Sequence, residues 1–165
     1  MIKKFVNFLL ILSLTACSVT QPYDVPTKQH AAMLAQIKTQ GAQVIENGFN
    51  LRIILPNDQF FIAQTDQLQP QQQPVLAQVA AVILSYNNPQ VAVFGYTDEL
   101  AINPAKSRQV SYNKAHVIAA LLWKQGISPS IMTVQGLGNT AAVAENNTPA
   151  GSAANRRVEI LVSGQ

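Results

Sequence analysis

Ala42-Gln43-Val44-Ile45-Glu46-Asn47-Gly48-Phe49-Asn50-Leu51-Arg52-Ile53-Ile54-Leu55 is the stretch from which the fold is read. Two β-prone runs flank Asn47-Gly48, a pair whose residues both tolerate positive φ. This predicts a hairpin closed by a type I′ turn. Pro56 follows and marks the end of the second strand. Upstream, Ala31, Leu34, Ala35 and Ile37 suit a short amphipathic helix over 28–39, ended by Gly41. Downstream, the glutamine-rich stretch 64–74 reads as a solvated loop. Apolar residues at 75, 76, 79, 80, 82, 83 and 84 predict a helix over 75–86, buried along one side and ended by Asn87-Asn88-Pro89.

The apolar run 90–95 reads as a buried strand. A second long helix is expected over 105–125, with Val110, Ala115, Val117, Ile118, Leu121 and Leu122 mostly on one face; Gly126 caps it and Pro129 lies beyond. Trp123, near its end, reads as a packing residue. Strands at 131–135 and 157–162 complete the chain, separated by a loop rich in Asn, Thr, Ala and Gly. The order β-β-α-β-α-β-β indicates an α+β protein built as a two-layer α/β sandwich. Strands 49–55, 90–95, 131–135 and 157–162 should form one sheet, with both long helices on one of its faces. No internal repeat is evident.

The first residues carry a different message. Met1-Ile2-Lys3-Lys4 is basic, Phe5 to Leu14 is almost wholly apolar, and Leu14-Thr15-Ala16-Cys17 matches the bacterial lipobox. The apolar zone is too short for a stable membrane-spanning helix, so residues 1–16 read as a secretory signal peptide. Cys17 is the sole cysteine and is expected to become the lipidated N-terminus. Two or three acyl chains make a durable anchor where one is marginal. Ser18 follows, with no aspartate there to hold the protein in the inner membrane. The expectation is therefore an outer-membrane lipoprotein facing the periplasm. The proposed division is a signal peptide 1–16, a lipidated tether 17–27, a helical lead-in 28–40 and a folded domain 41–165.

Composition narrows the function. The whole chain has 11 Lys+Arg and 8 Asp+Glu, and loss of Lys3 and Lys4 with the signal peptide leaves 9 against 8. A nearly neutral chain without a basic run gives no reason to expect a nucleic-acid partner. With its thiol acylated, the protein is expected to hold no disulfide or cysteine metal site, and His30 and His116 do not suggest a metal; no cofactor is expected. No histidine is expected near a plausible nucleophile, and Asp98 lacks a second carboxylate suited to glycosidic chemistry, so an enzyme is not expected.

Three ordered stretches give the domain a likeness. Gly95-Tyr96-Thr97-Asp98 follows a predicted strand. Val110-Ser111-Tyr112-Asn113-Lys114-Ala115 leads through Val117 and Leu121 to Gly126-Ile127. Gly136-Leu137-Gly138 precedes Asn146-Asn147-Thr148 and Gly151-Ser152-Ala153-Ala154-Asn155-Arg156-Arg157-Val158-Glu159-Ile160. Together, from about Gly41 to Ser163, these resemble the OmpA-like C-terminal domain of peptidoglycan-associated lipoproteins and flagellar stator subunits. The resemblance implies a β-α-β-α-β-β domain with a mixed four-stranded sheet, here preceded by the hairpin strand. It also implies non-covalent binding of the diaminopimelate part of the peptidoglycan stem peptide, with the domain anchoring an envelope assembly to the cell wall.

Carried over by position, the family's aspartate is Asp98, and its L-S-x-x-R-A arginine falls on Lys114, which keeps the charge but not the bidentate fork. The connection from Asp98 to Ser111 is one residue longer than usual and contains Pro104. Ala101 stands at the family's glycine, Ser107 at its asparagine, and Ser152 at the arginine after the last-loop glycine. Tyr96, Thr97, Ser107 and Arg156 join Asp98 and Lys114 as candidate ligand residues. Separately, Leu51 to Phe61, with its Leu55-Pro56-Asn57-Asp58-Gln59-Phe60-Phe61, and Leu122 to Ile127 resemble the small DotK/IcmN lipoproteins of Dot/Icm-type type IV secretion systems. That likeness implies a structural subunit with protein partners in a secretion core complex.

Overall fold

A computed structural model of the chain describes residues 28–98 and 103–164. The signal peptide, Cys17 and the tether lie outside the described residues. In chain order the elements are α1 (Lys28–Thr39), β1 (Gln43–Asn47), β2 (Asn50–Pro56), α2 (Asn57–Phe60), α3 (Gln73–Leu84), β3 (Gln90–Tyr96), α4 (Pro104–Lys124), β4 (Met132–Gly138), α5 (Pro149–Asn155) and β5 (Arg157–Ser163). The strands form one five-stranded sheet in the order β1-β2-β5-β3-β4. Among the described residues only β3 and β4 run parallel, joined through α4, and the other strand pairings are antiparallel. The expected pairing of 90–95 with 157–162 is present, with Val93 opposite Ile160.

Strand alternation decides which side is covered. Leu51, Ile53 and Leu55 of β2, Val91 and Val93 of β3, and Val158, Ile160 and Val162 of β5 point to one face and are buried there. Against them pack Leu34 and Ile37 of α1, six residues of α3 from Val75 to Ile83, and Ala115, Ile118, Ala119 and Leu122 of α4, in one continuous core. The helices therefore occupy one face of the sheet, as the sequence indicates.

The differences from the sequence reading are local. The hairpin turns at Gly48-Phe49, because Asn47 pairs with Asn50. Gly48 alone of the two central residues has positive φ, +60°, a type II′ pattern in place of the expected type I′. The shift matters because a one-residue slip would turn every β1 side chain over. The stretch 64–74 is not all loop: a 3-10 turn at Pro70–Gln72 runs into α3, whose first turn holds Pro74. The last loop contains the unforeseen helix α5, capped by Thr148 Oγ1, which accepts from Gly151 N at 3.0 Å. Trp123 is 62% exposed, since it sits about 100° round the helix from buried Leu122. Val110 and Leu84 also face outward.

The contact that positions the site is that of α4 on β3 and β4. A Cβ on Gly95 would stand 1.9 Å from Ser111 O, and one on Gly136 would stand 2.1 Å from Arg108 O. Only bare backbone lets α4 lie this close. Ser111 Oγ, fully buried, accepts from Gly138 N at 3.0 Å and so fastens the helix to the end of β4. Gly95→Ala should lower stability by about 2–3 kcal/mol, the cost of overpacking a site whose neighbour is backbone. Urea unfolding followed by circular dichroism would register this; an unchanged midpoint would show that α4 can lift off freely.

Candidate functional site

The end of β2, the end of β3, the start of β5 and the N-terminal half of α4 converge at one edge of the helical layer. The β2–β5 ladder finishes at Pro56 opposite Arg157, and Asn57 N then donates to Arg156 O at 2.9 Å. Asp58, the next residue, is thereby set beside the Arg156 side chain although 98 positions separate them. Arg156 donates from Nε to Asp58 Oδ1 at 3.0 Å and from Nη2 to Asp58 Oδ2 at 2.6 Å. Its Nη1 donates to Asp98 Oδ2 at 2.5 Å. Hydrogen bonding to Asp58, then to Asp98, raises the Arg156 pKa further above its ordinary value against the opposing effect of burial, so the guanidinium is permanently charged.

Beside Arg156 opens a cleft of about 710 Å³, lined among others by Asp58, Phe61, Thr65, Asp66 and Lys114. Lys114 lies across it: its Nζ donates to Thr65 O and stands 4.3 Å from the centre of the Phe61 ring. Burial lowers the Lys114 pKa, opposed by the charges of Asp66 and Asp58. Three carboxylates and two cations thus share the region. Such a set can bind a small zwitterion, cations meeting its carboxylates and acids its ammonium.

The sequence-derived candidates separate into two groups. Asp98, Lys114 and Arg156 come together at the cleft. Asp98 is buried and, among the described residues, meets the site through Arg156; the α4 cap is Asn103, whose Oδ1 accepts from Ala105 N at 2.8 Å. Thr97 continues β3, donating from N to Gly138 O at 2.8 Å, and its Oγ1 is buried without a partner among the described residues. Ser107 is buried against Gly138. Tyr96 points to the opposite face of the sheet, where Arg157 lies 3.9 Å above its ring. Burial first, then the charge of Glu159, raises the Tyr96 pKa. Neither Tyr96 nor Ser107 lines the cleft.

Sequence reasoning missed Asp58 as a candidate site residue, although it lies in the Leu51 to Phe61 stretch; the missing signal is its partner Arg156, 98 positions away in the chain. It also missed what Asn155 does. This side chain, 0% exposed, accepts from Val143 N at 2.7 Å and Ala144 N at 3.1 Å, and donates to Ala144 O at 2.7 Å and Asn146 Oδ1 at 2.8 Å. It ties the last loop to the start of β5 and so fixes where Arg156 emerges. Arg157 points the other way, pairing with Glu159 at 2.8 Å in a buried ion pair.

A second cluster departs from the expectation that no histidine meets a nucleophile. His30 Nδ1 lies 3.3 Å from Ser85 Oγ and Nε2 lies 3.1 Å from Glu46 Oε1. Ser85 Oγ donates to Val82 O at 2.7 Å, so its proton is committed to the α3 backbone. The cluster fastens α1 to α3 and β1. Among the described residues, no group of three or more His, Cys, Asp or Glu could hold a metal ion. No described helix is long and apolar enough to cross a membrane.

Asn155→Ala should cost about 2–3 kcal/mol, because buried backbone groups lose their partners. Hydrogen exchange should show the Val143 and Ala144 amides losing protection first. Retained protection at both would mean the loop is held by something else.

Comparison with known proteins agrees with this architecture. Over 135 residues the chain is 34% identical to the probable lipoprotein YiaD of Escherichia coli, covering 82% of this chain and 61% of that protein's length. Over 158 residues it is 28% identical to the outer-membrane lipoprotein YfiB of Pseudomonas aeruginosa, covering 96% of this chain and 90% of the relative. The solved structure of the cell wall anchor of the T6SS from Pseudomonas aeruginosa superposes with a TM-score of 0.73 at 28% identity, over 82% of this chain and 96% of that one. Residues 60–156, which hold α3, the glycine-lined β3–α4–β4 unit and the turn into Arg156, match the OmpA family, and the chain belongs to that family.

Proposed function

We propose that this chain is an outer-membrane lipoprotein, anchored through Cys17, whose domain binds peptidoglycan non-covalently at the diaminopimelate part of the stem peptide. In this role it fastens an envelope assembly to the cell wall. The observation that carries the reading is the Asp58–Arg156–Asp98 cluster beside a cleft that also holds Lys114. Diaminopimelate presents carboxylate and ammonium groups together, and the cleft offers both signs within a few ångströms. The relative solved as a cell wall anchor supports the same reading. Binding and holding, with no bond broken, is the task proposed.

In this reading Arg156 and Lys114 receive ligand carboxylates, and Asp98 sets the Arg156 guanidinium. Thr97 and Ser107 support the backbone behind the site. Tyr96 acts from the far face of the sheet by steadying Arg157. The proposed organisation keeps residues 17–27 as a tether and the residues after 28 as the folded part.

The alternative of a Dot/Icm-type subunit draws no support from these relatives. Its carrying stretch has a local explanation: Pro56 ends β2, α2 makes the turn, and Phe60 and Phe61 are buried in the core. A secretion or envelope complex remains the proposed setting for protein partners.

The test is cosedimentation of the full chain, in detergent micelles, with purified sacculi. Wild type should pellet with the sacculi. Asp98→Ala should weaken binding by about ten- to a hundredfold, the worth of one charged hydrogen bond lost from the Arg156 mount. Failure of wild type to pellet would refute the reading. The anchor is tested separately: Cys17→Ser should leave the protein unprocessed or released into the periplasm, unlabelled by a palmitate analogue. A mutant that still carries lipid on the membrane would refute the lipobox assignment.

A further inference from the structure

We infer that Asp58 is a displaceable internal carboxylate that makes the cleft selective for a zwitterionic amino-acid end over a plain carboxylate. The inference rests on the peptidoglycan reading and names the residue that sets its selectivity.

Arginine binds carboxylates best through two parallel N–H donors. On Arg156 that edge, Nε with Nη2, is already occupied by both oxygens of Asp58. Asp98 holds only Nη1. The two acids differ in freedom: the Asp58 side chain is 51% exposed and the Asp98 side chain 9%. Asp58 also sits on α2, a single helical turn, and lines the cleft. Lys114 can add a point-charge contact to a carboxylate but offers no second bidentate edge, and its ammonium is shared with Thr65 O and the Phe61 ring.

A carboxylate that takes the bidentate edge of Arg156 must therefore take the place of Asp58. For a plain carboxylate the exchange gains nothing: one acid replaces another, and Asp58 is left facing it. An α-amino carboxylate changes the balance. Its carboxylate takes the Nε–Nη2 edge while its ammonium, one carbon away, receives the displaced Asp58. The guanidinium and Asp58 each end with a partner of opposite charge. The excess of acids over bases around the cleft favours an entering cation in the same sense.

The test is calorimetry on the full chain in micelles, with meso-diaminopimelate and with pimelate, which lacks both ammonium groups. Wild type should bind diaminopimelate at least about tenfold more tightly than pimelate. Asp58→Asn, isosteric but uncharged, should bind pimelate about tenfold or more tightly than wild type does and lose the preference for the zwitterion. Asp58→Ala should shift the preference in the same direction, with circular dichroism confirming that both variants keep the fold. If wild type pellets with sacculi and binds diaminopimelate, but the Asp58 variants change both ligands alike or neither, the inference fails while the reading beneath it stands. If wild type binds neither diaminopimelate nor sacculi, both fail.

Discussion

The place of Lys114 at the cleft depends on how closely α4 approaches the backbone of β3 and β4. Gly95 and Gly136 leave no side chain between them and the helix, and Ser111 fixes the remaining gap with a hydrogen bond to Gly138. That seating orients the whole helix. It turns Ala115, Ile118 and Leu122 into the core and brings Lys114 out over Phe61. A methyl group on Gly95 or Gly136 would overlap the backbone of the helix that carries Lys114, so the helix or the strands would have to move. The glycines act through the distance they allow between helix and strands.

The second half of the site comes from β5. Arg156 and Arg157 are neighbours in sequence but belong to opposite surfaces, because side chains alternate along a strand. Arg157 goes to the open face, where Glu159, the Tyr96 ring and the carbonyl oxygens of Asn155 and Ala141 leave it fully engaged. Removing Glu159 would strand a buried charge, so the pair is a constraint on the strand more than a source of stability. Arg156 turns to the helical side and is claimed by two carboxylates. The loop before it is ordered by Asn155 and by α5, whose close turn requires Gly151, since a Cβ there would meet Glu145 O at 1.9 Å. The end of the chain thus works as a mount for one guanidinium.

Much of the fold was legible because its signals are local. Asn47-Gly48 marked the hairpin, the apolar spacing of 75–83 marked the buried side of α3, and Gly126 with Pro129 marked the end of α4. The hairpin register was misread because Asn-Gly suits two placements; in the structure Asn47 belongs to the strand and Gly48 supplies the one positive φ. Helix α5 escaped because Pro149-Ala150-Gly151-Ser152 has the composition of a loop, and its cap and the Ser152 hydroxyl bond to Asn146 O hold it in place. Motif position singled out Asp98, Lys114 and Arg156, which the structure brings into one region. Motif position alone does not show that Tyr96 faces away; that follows from the alternation of β3, in which Val91, Val93 and Gly95 face the helices. Nor could it reveal Asp58, whose significance arises only when the β2–β5 ladder brings residues 98 apart into contact.

The central claim is that one cleft, between Asp58, Arg156 and Lys114, is where this OmpA-family domain meets the cell wall. Heteronuclear NMR of the isotope-labelled chain, titrated with a diaminopimelate-containing stem peptide, tests it most directly. The account predicts that the largest shifts fall on the amides of residues 57–66, 98, 110–114 and 155–157 and on the Arg156 side-chain Nε–H. Shifts confined to the open face of the sheet around Arg52, Phe94 and Leu161, or no shifts at all, would contradict it.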